Sequence, residues 1–182
     1  EKLILIEPQK NIFDFIQNKY KNDRSINIYN HAISNKEKKM KLYINKHDLT
    51  SSLTEIDKTN KYLNLKAKLF GGSLDEMIKK KITTRALSLK NIINKEKIKK
   101  IDLVKIDTEG HELQVLQGAG NFLKKGIKYL IIEFHNSNIF LNYNPIEIEK
   151  HLKKNGFILK KRFKFPFTTW EDRIYFNKKI KE

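Results

Sequence analysis

Four aliphatic residues in succession, Leu3-Ile4-Leu5-Ile6, stand near the start of the chain and stop at Glu7-Pro8. A run that is apolar on both sides of its pleat predicts a strand covered on both faces, as in a parallel sheet, and the proline ends it. Ile12, Phe13, Ile16 and Tyr20 then fall on one stripe of an amphipathic helix. Ile26–Ile33 reads as a second strand and Met40–Ile44 as a shorter one at a sheet margin. From His47 to about Phe70 the pattern weakens into a loop, with a helix around Tyr62–Leu69. Gly71-Gly72 marks a turn, followed by short helical stretches from Leu74 and over Leu87–Ile93.

The second half is more regular. Ile101–Asp107 is a strand, and Thr108-Glu109-Gly110 a sharp turn after it. Leu113, Leu116, Gly120 and Leu123 keep helical spacing, and Lys124, Lys125 and Gly126 make a good helix C-terminus. Tyr129–Phe134 is a third buried strand. Asn144, Pro145 and Glu147 supply an N-cap, a first-turn proline and an acid for a helix that Gly156 closes. Phe157–Phe163 and Arg173–Asn177 read as a final antiparallel pair. Strands alternating with helices predict an α/β fold with a mostly parallel sheet, and no repeat or linker divides residues 1–182 into more than one domain.

Composition narrows the classes. Hydrophobic residues make up 39% and charged residues 32%, enough apolar material for one core. With no cysteine, disulfides, thiolate metal sites and a cysteine nucleophile are excluded. No apolar run is long enough for a membrane span, and Leu3–Ile6 is too short for a signal peptide, so a cytoplasmic location is the expectation. The net charge of +17 invites a nucleic-acid reading. Of 38 basic residues, however, only Arg24, Arg85, Arg162 and Arg173 are arginine, and the lysines are scattered among abundant asparagine and isoleucine, all residues with A/T-rich codons. Nucleic acid is therefore not the expected partner.

Ligands of open α/β sheets sit beyond the carboxyl ends of the strands. Those positions carry Glu7, Asp107 with Glu109 behind it, and Glu133 with His135 two residues on, a concentration of acids in a basic protein. If 101–107 and 129–134 are neighbouring parallel strands, Asp107, Glu109, Glu133 and His135 converge. Such a cluster suits proton transfer and equally suits a hard divalent cation. Lys105, odd inside an apolar strand, is positioned to pair with an acid; His31, His47, His111, His151 and Gly71-Gly72 are assigned structural roles.

The stretch from Ile101 to Ala119, with its Lys-Ile-Asp-Thr-Glu-Gly-His-Glu core, resembles the signature of the FkbM-type methyltransferase family. Tyr129–His135 is similar to that family's next strand. Ile6-Glu7-Pro8, His31–Ser34, Glu147–Phe157 and Glu171–Asn177 resemble its remaining segments, so the likeness covers nearly the whole chain. It implies a Rossmann-like methyltransferase fold with helices on both faces of the sheet, binding S-adenosylmethionine. By the resemblance, Glu7 holds the ribose hydroxyls, the region around Ala32 lies by the adenine, and Asp107 and Glu109 sit at the methyl-transfer end. Glu133 and His135 then line the acceptor side. The implied acceptor is a hydroxyl on a sugar or natural-product scaffold. His135 or Asp107 is the implied base, and a divalent cation such as Mg²⁺ a second means of activating the oxygen. The family's first strand and glycine-rich loop have no counterpart here, and the chain begins at Glu1 rather than methionine, so a domain cut from a longer chain is expected. Two other classes compete: a non-catalytic, lysine-rich module for an anionic glycan or nucleic acid, and a dehydrogenase, against which the lack of a G-x-G-x-x-G run counts.

Overall fold

A computed structural model describes residues 2–45, 51–69, 72–135, 139–164, 166 and 168–180. In chain order its elements are β1 (Leu3–Ile6), α1 (Lys10–Lys19), β2 (Ile26–Tyr29), β3 (Ala32–Ser34), β4 (Lys38–Asn45), β5 (Ser51–Ser52), α2 (Lys61–Leu69) and α3 (Leu74–Met77). There follow β6 (Ile78–Ser88), α4 (Leu89–Lys95), β7 (Ile101–Ile106), α5 (Glu112–Gly118), α6 (Asn121–Gly126), β8 (Ile127–His135), α7 (Pro145–Asn155), β9 (Phe157–Lys164) and β10 (Trp170–Asn177). His47 and Gly71 lie outside the described residues. Among the described residues no helix is long and apolar enough to cross a membrane.

The strands form three hydrogen-bonded groups: β1-β2, β3-β6-β4-β5 and β7-β8-β10-β9. The pairs β1/β2, β3/β6 and β7/β8 are parallel, while β4/β6, β4/β5, β8/β10 and β9/β10 are antiparallel. The sheets are thus mixed, where a mostly parallel sheet was expected. The main reason is β6. Ile82, Thr84, Ala86 and Ser88 point inward and Lys81, Thr83 and Arg85 outward, a two-residue period that polar side chains hide in the sequence. This strand, where the sequence pattern predicts only short helical stretches from Leu74 and over Leu87–Ile93, pairs along all of β4.

Two further differences bear on the site. The expected strand Ile26–Ile33 is two strands in different groups, because the chain leaves one ladder at Asn30, whose side-chain amide donates to the carbonyls of Glu7 (3.0 Å) and Pro8 (3.2 Å). The single helix expected from Leu113 to Leu123 is broken at Gly120, where φ is +55°. That break follows the close approach of α5 to β3: a Cβ at Gly118 would lie 2.2 Å from the Ser34 carbonyl oxygen. The core gathers on β8, where Leu130, Ile132 and Phe134 are fully buried against Val115, Leu116, Ile148 and Leu152 of α5 and α7. Among the described residues, β1 pairs only with β2 and β7 only with β8, so each has one unpaired edge.

Candidate active site

The alternation along β8 decides which way its polar residues face. Leu130, Ile132 and Phe134 enter the core, so Glu133 and His135 emerge together on the other side. The β7/β8 register pairs Ile106 with Ile132, which sets Asp107 beside Glu133. On the other flank β10 places Asp172 opposite Glu133. Lys105 pairs with Asp107 at 3.1 Å, as its place in the strand suggested.

After Asp107 the chain turns sharply, and Glu112 holds the turn. Its fully buried carboxylate Oε1 accepts from the backbone amides of Thr108 and Gly110 and from the Thr108 hydroxyl, each at 3.1 Å. This is a carboxylate at the first position of a helix reaching back to the turn before it, where it satisfies amides that the turn would otherwise leave buried and unpaired. Glu109 adopts φ +53°, a left-handed conformation that an ordinary residue keeps only when its surroundings hold it. Ser52 and Thr54 do so, donating to the carbonyls of Glu109 (2.5 Å) and Gly110 (3.0 Å). Gly110, at φ +89°, presses against Phe140; a Cβ there would come 2.5 Å from the ring.

His135 is almost wholly buried, edge-on to the rings of Phe140 and Tyr143 at centroid distances of 4.9 and 5.5 Å. Its backbone amide donates to the Tyr143 hydroxyl. Neither ring nitrogen makes a hydrogen bond, while Nε2 lies 3.3 Å from Glu133 Oε1 and 3.7 Å from Glu109 Oε2. One donor atom from each of Glu109, Glu133 and His135 falls within 4.8 Å of the others, so these three could hold a metal ion. Burial, reinforced by the charges of Asp107, Glu109, Asp172 and Glu112, pushes the Glu133 carboxyl up to about 8. Burial pushes His135 the other way, down to about 4, against the opposing pull of Asp107.

The N-terminal strands bring the remaining residues. Glu7 follows β1, half-buried, and its Oε1 accepts the Gln9 amide at 2.7 Å. Burial raises its proton affinity, and the Gln9 bond works against that. Ala32 is buried at the start of β3. One cleft of about 730 Å³ is lined by all six residues singled out in the sequence: Glu7, Ala32, Asp107, Glu109, Glu133 and His135. His31, assigned a structural role, also lines it. His111 does not; it is buried between the hydroxyls of Ser34 (3.0 Å) and Thr54 (3.3 Å).

Sequence reasoning missed Glu112, Ser52, Thr54, Phe140 and Asp172. Glu112 carried a usable signal, an acid immediately after a glycine turn at a helix start. Ser52 and Thr54 carried none, being more than fifty residues from the turn they hold.

A family model described as the methyltransferase FkbM domain matches residues 1–159. The hexuronic acid methyltransferase AglP of Haloferax volcanii is 35% identical over 54 residues, which are 30% of this chain and 22% of that protein. The crystal structure of methyltransferase FkbM from Methylobacillus flagellatus superposes with a TM-score of 0.57 at 15% identity, covering 97% of this chain and 36% of that one. The chain therefore spans a minor part of both proteins.

Proposed function

The chain belongs to the FkbM methyltransferase domain family, and from that premise we propose that residues 1–182 act as one S-adenosylmethionine-dependent methyltransferase domain that methylates a hydroxyl on a sugar-like acceptor. The observation that supports this most is the single cleft on which Glu7 and Ala32 meet Asp107, Glu109, Glu133 and His135. Its volume is that of a small-molecule site. The residues fit the cofactor: Glu7 is a strand-end carboxylate already oriented by the Gln9 amide, able to accept both hydrogen bonds of a ribose diol, and Ala32 leaves room for a flat base. When bound, S-adenosylmethionine supplies a methyl group on a positively charged sulfur.

The work left to the protein is alignment and proton removal. Asp107 takes the proton from the acceptor hydroxyl. It lines the cleft, is partly exposed so that the proton can leave to water, and is oriented by Lys105. His135 is the weaker candidate for that role, since its ring is almost wholly buried and faces Glu133 and Glu109. Glu109, Glu133 and His135 surround the acceptor oxygen, and a divalent cation held there would be a second means of activating it. The name of the haloarchaeal relative supports a sugar acid as the kind of acceptor.

The test is calorimetric titration of S-adenosylmethionine and S-adenosylhomocysteine into the protein and into its Glu7→Ala variant. Both ligands should bind the unaltered protein, with Glu7→Ala weakening them at least tenfold. If the folded protein binds neither, the methyltransferase reading fails, and a lysine-rich module binding an anionic glycan or nucleic acid takes its place.

A further inference from the structure

The geometry points to a site for one divalent first-row transition cation, of the Mn²⁺-to-Zn²⁺ class, held by His135 Nε2 and the carboxylates of Glu109 and Glu133. The first observation is His135 itself. Its side chain is only 2% exposed and neither ring nitrogen has a hydrogen bond, although buried imidazoles ordinarily find partners. Nε2 is nevertheless aimed between two carboxylates.

The second observation is spacing. With metal–ligand bonds of about 2.1 Å, ligands at a tetrahedral angle lie roughly 3.4 Å apart. The two distances from Nε2, 3.3 Å to Glu133 and 3.7 Å to Glu109, bracket that value. All three donor atoms lie within 4.8 Å of one another, so at most about 1.4 Å remains to be closed to that spacing, within reach of a glutamate rotamer. The frame is stiff where it needs to be. Glu133 and His135 are alternate residues of a buried strand, and the backbone of Glu109 is pinned by Ser52 and Thr54. Because all three residues line the cleft, the remaining coordination positions open into it, the pattern of a catalytic rather than a structural metal centre.

The donor set selects the class of ion. Mg²⁺ and Ca²⁺ prefer oxygen ligands throughout, whereas one imidazole with two carboxylates suits Mn²⁺, Fe²⁺, Co²⁺ or Zn²⁺. This departs from the Mg²⁺ expected from the sequence. Asp107 and Asp172 nearby add negative charge that a cation would neutralise. The use of such an ion, polarising the acceptor oxygen for Asp107, rests on the methyltransferase reading; its binding does not.

The experiment titrates Zn²⁺, Mn²⁺ and Mg²⁺ into the EDTA-stripped protein by calorimetry, with electron paramagnetic resonance following free Mn²⁺. One equivalent of Zn²⁺ or Mn²⁺ should bind at least tenfold more tightly than Mg²⁺. His135→Ala and the near-isosteric Glu133→Gln should each weaken it tenfold or more, with folding checked by circular dichroism. Absence of saturable binding overturns the site. So does binding that survives both substitutions, which would put the ion elsewhere. S-adenosylmethionine titrated into the same samples reports separately on the methyltransferase reading.

Discussion

His111 should make the fold acid-sensitive by an amount that the structure sets. The ring is 5% exposed, pinned between the Ser34 and Thr54 hydroxyls, and burial pushes it from 6.5 down to about 4, with Lys38 adding to the effect. Between those two values the unfolded chain carries a proton that the folded chain refuses, so stability rises with pH through this window and is lost on acidification below 6.5. Each pH unit in the window is worth about 1.4 kcal/mol. Lowering the pH from 7.5 to 5 should therefore remove about 2 kcal/mol through this residue, with a ceiling near 3 kcal/mol by pH 4. The assay is urea unfolding of the wild type and of His111→Gln at pH 7.5, 6 and 5. Gln keeps a side-chain amide for Ser34 and cannot titrate. Taking the difference between the two proteins cancels the other ionising groups. His111→Gln should be the less stable at pH 7.5, and the gap should narrow or reverse by pH 5. Parallel pH profiles, with a constant gap, would refute the reasoning.

Gly110→Ala must place a Cβ 2.5 Å from the Phe140 ring at a φ of +89°, so strain and overpacking together should lower stability by about 2 kcal/mol or more in thermal unfolding. A variant as stable as the wild type would contradict the close approach. Arg173 donates to Glu171 at 2.6 Å and to Glu149 at 2.5 Å, and its guanidinium lies 3.9 Å from the centre of the Phe134 ring. Arg173→Met leaves the buried Glu171 without its main cation, a loss of about 3 kcal/mol by denaturant unfolding, and adding Glu171→Met should recover most of it.

The parts of the site that were legible in the sequence are those where an aliphatic run ends on a charge. Ile-Asp-Leu-Val-Lys-Ile before Asp107 and Tyr-Leu-Ile-Ile before Glu133 announce both the strand and the residue beyond it, and the β7/β8 pairing then brings the acids together. What stayed hidden is non-local. β6 presents Ile, Thr, Ala and Ser to the interior, and its neighbour β4 alternates lysine with apolar residues; neither alternation is strong until the two strands pair. Strand direction is likewise absent from periodicity, so alternating strands and helices predict a mostly parallel sheet with an antiparallel end where both four-stranded groups are mixed. The α5 helix ends where its backbone meets Ser34, a contact between segments more than eighty residues apart that helical spacing cannot report. The support of Glu109 by Ser52 and Thr54 belongs to the same class.

Among the described residues the strand that presents Glu7 has a single strand partner, and side chains tie it to the rest of the molecule. Ile4 and Ile6 pack against the core, and Lys2, Asn27 and Tyr29 grip Glu96 at the end of α4. Among the described residues, detaching β1 and β2 together breaks no sheet ladder other than their own. Their amides should therefore exchange with deuterium through smaller openings than those of β8, which is hydrogen-bonded on both edges. A ligand in contact with Glu7 and Asp107 at once would act as a rivet between these two parts of the chain. Its affinity would then be legible, by mass action, as slower exchange along the β1/β2 ladder, at Leu5 and Ile28.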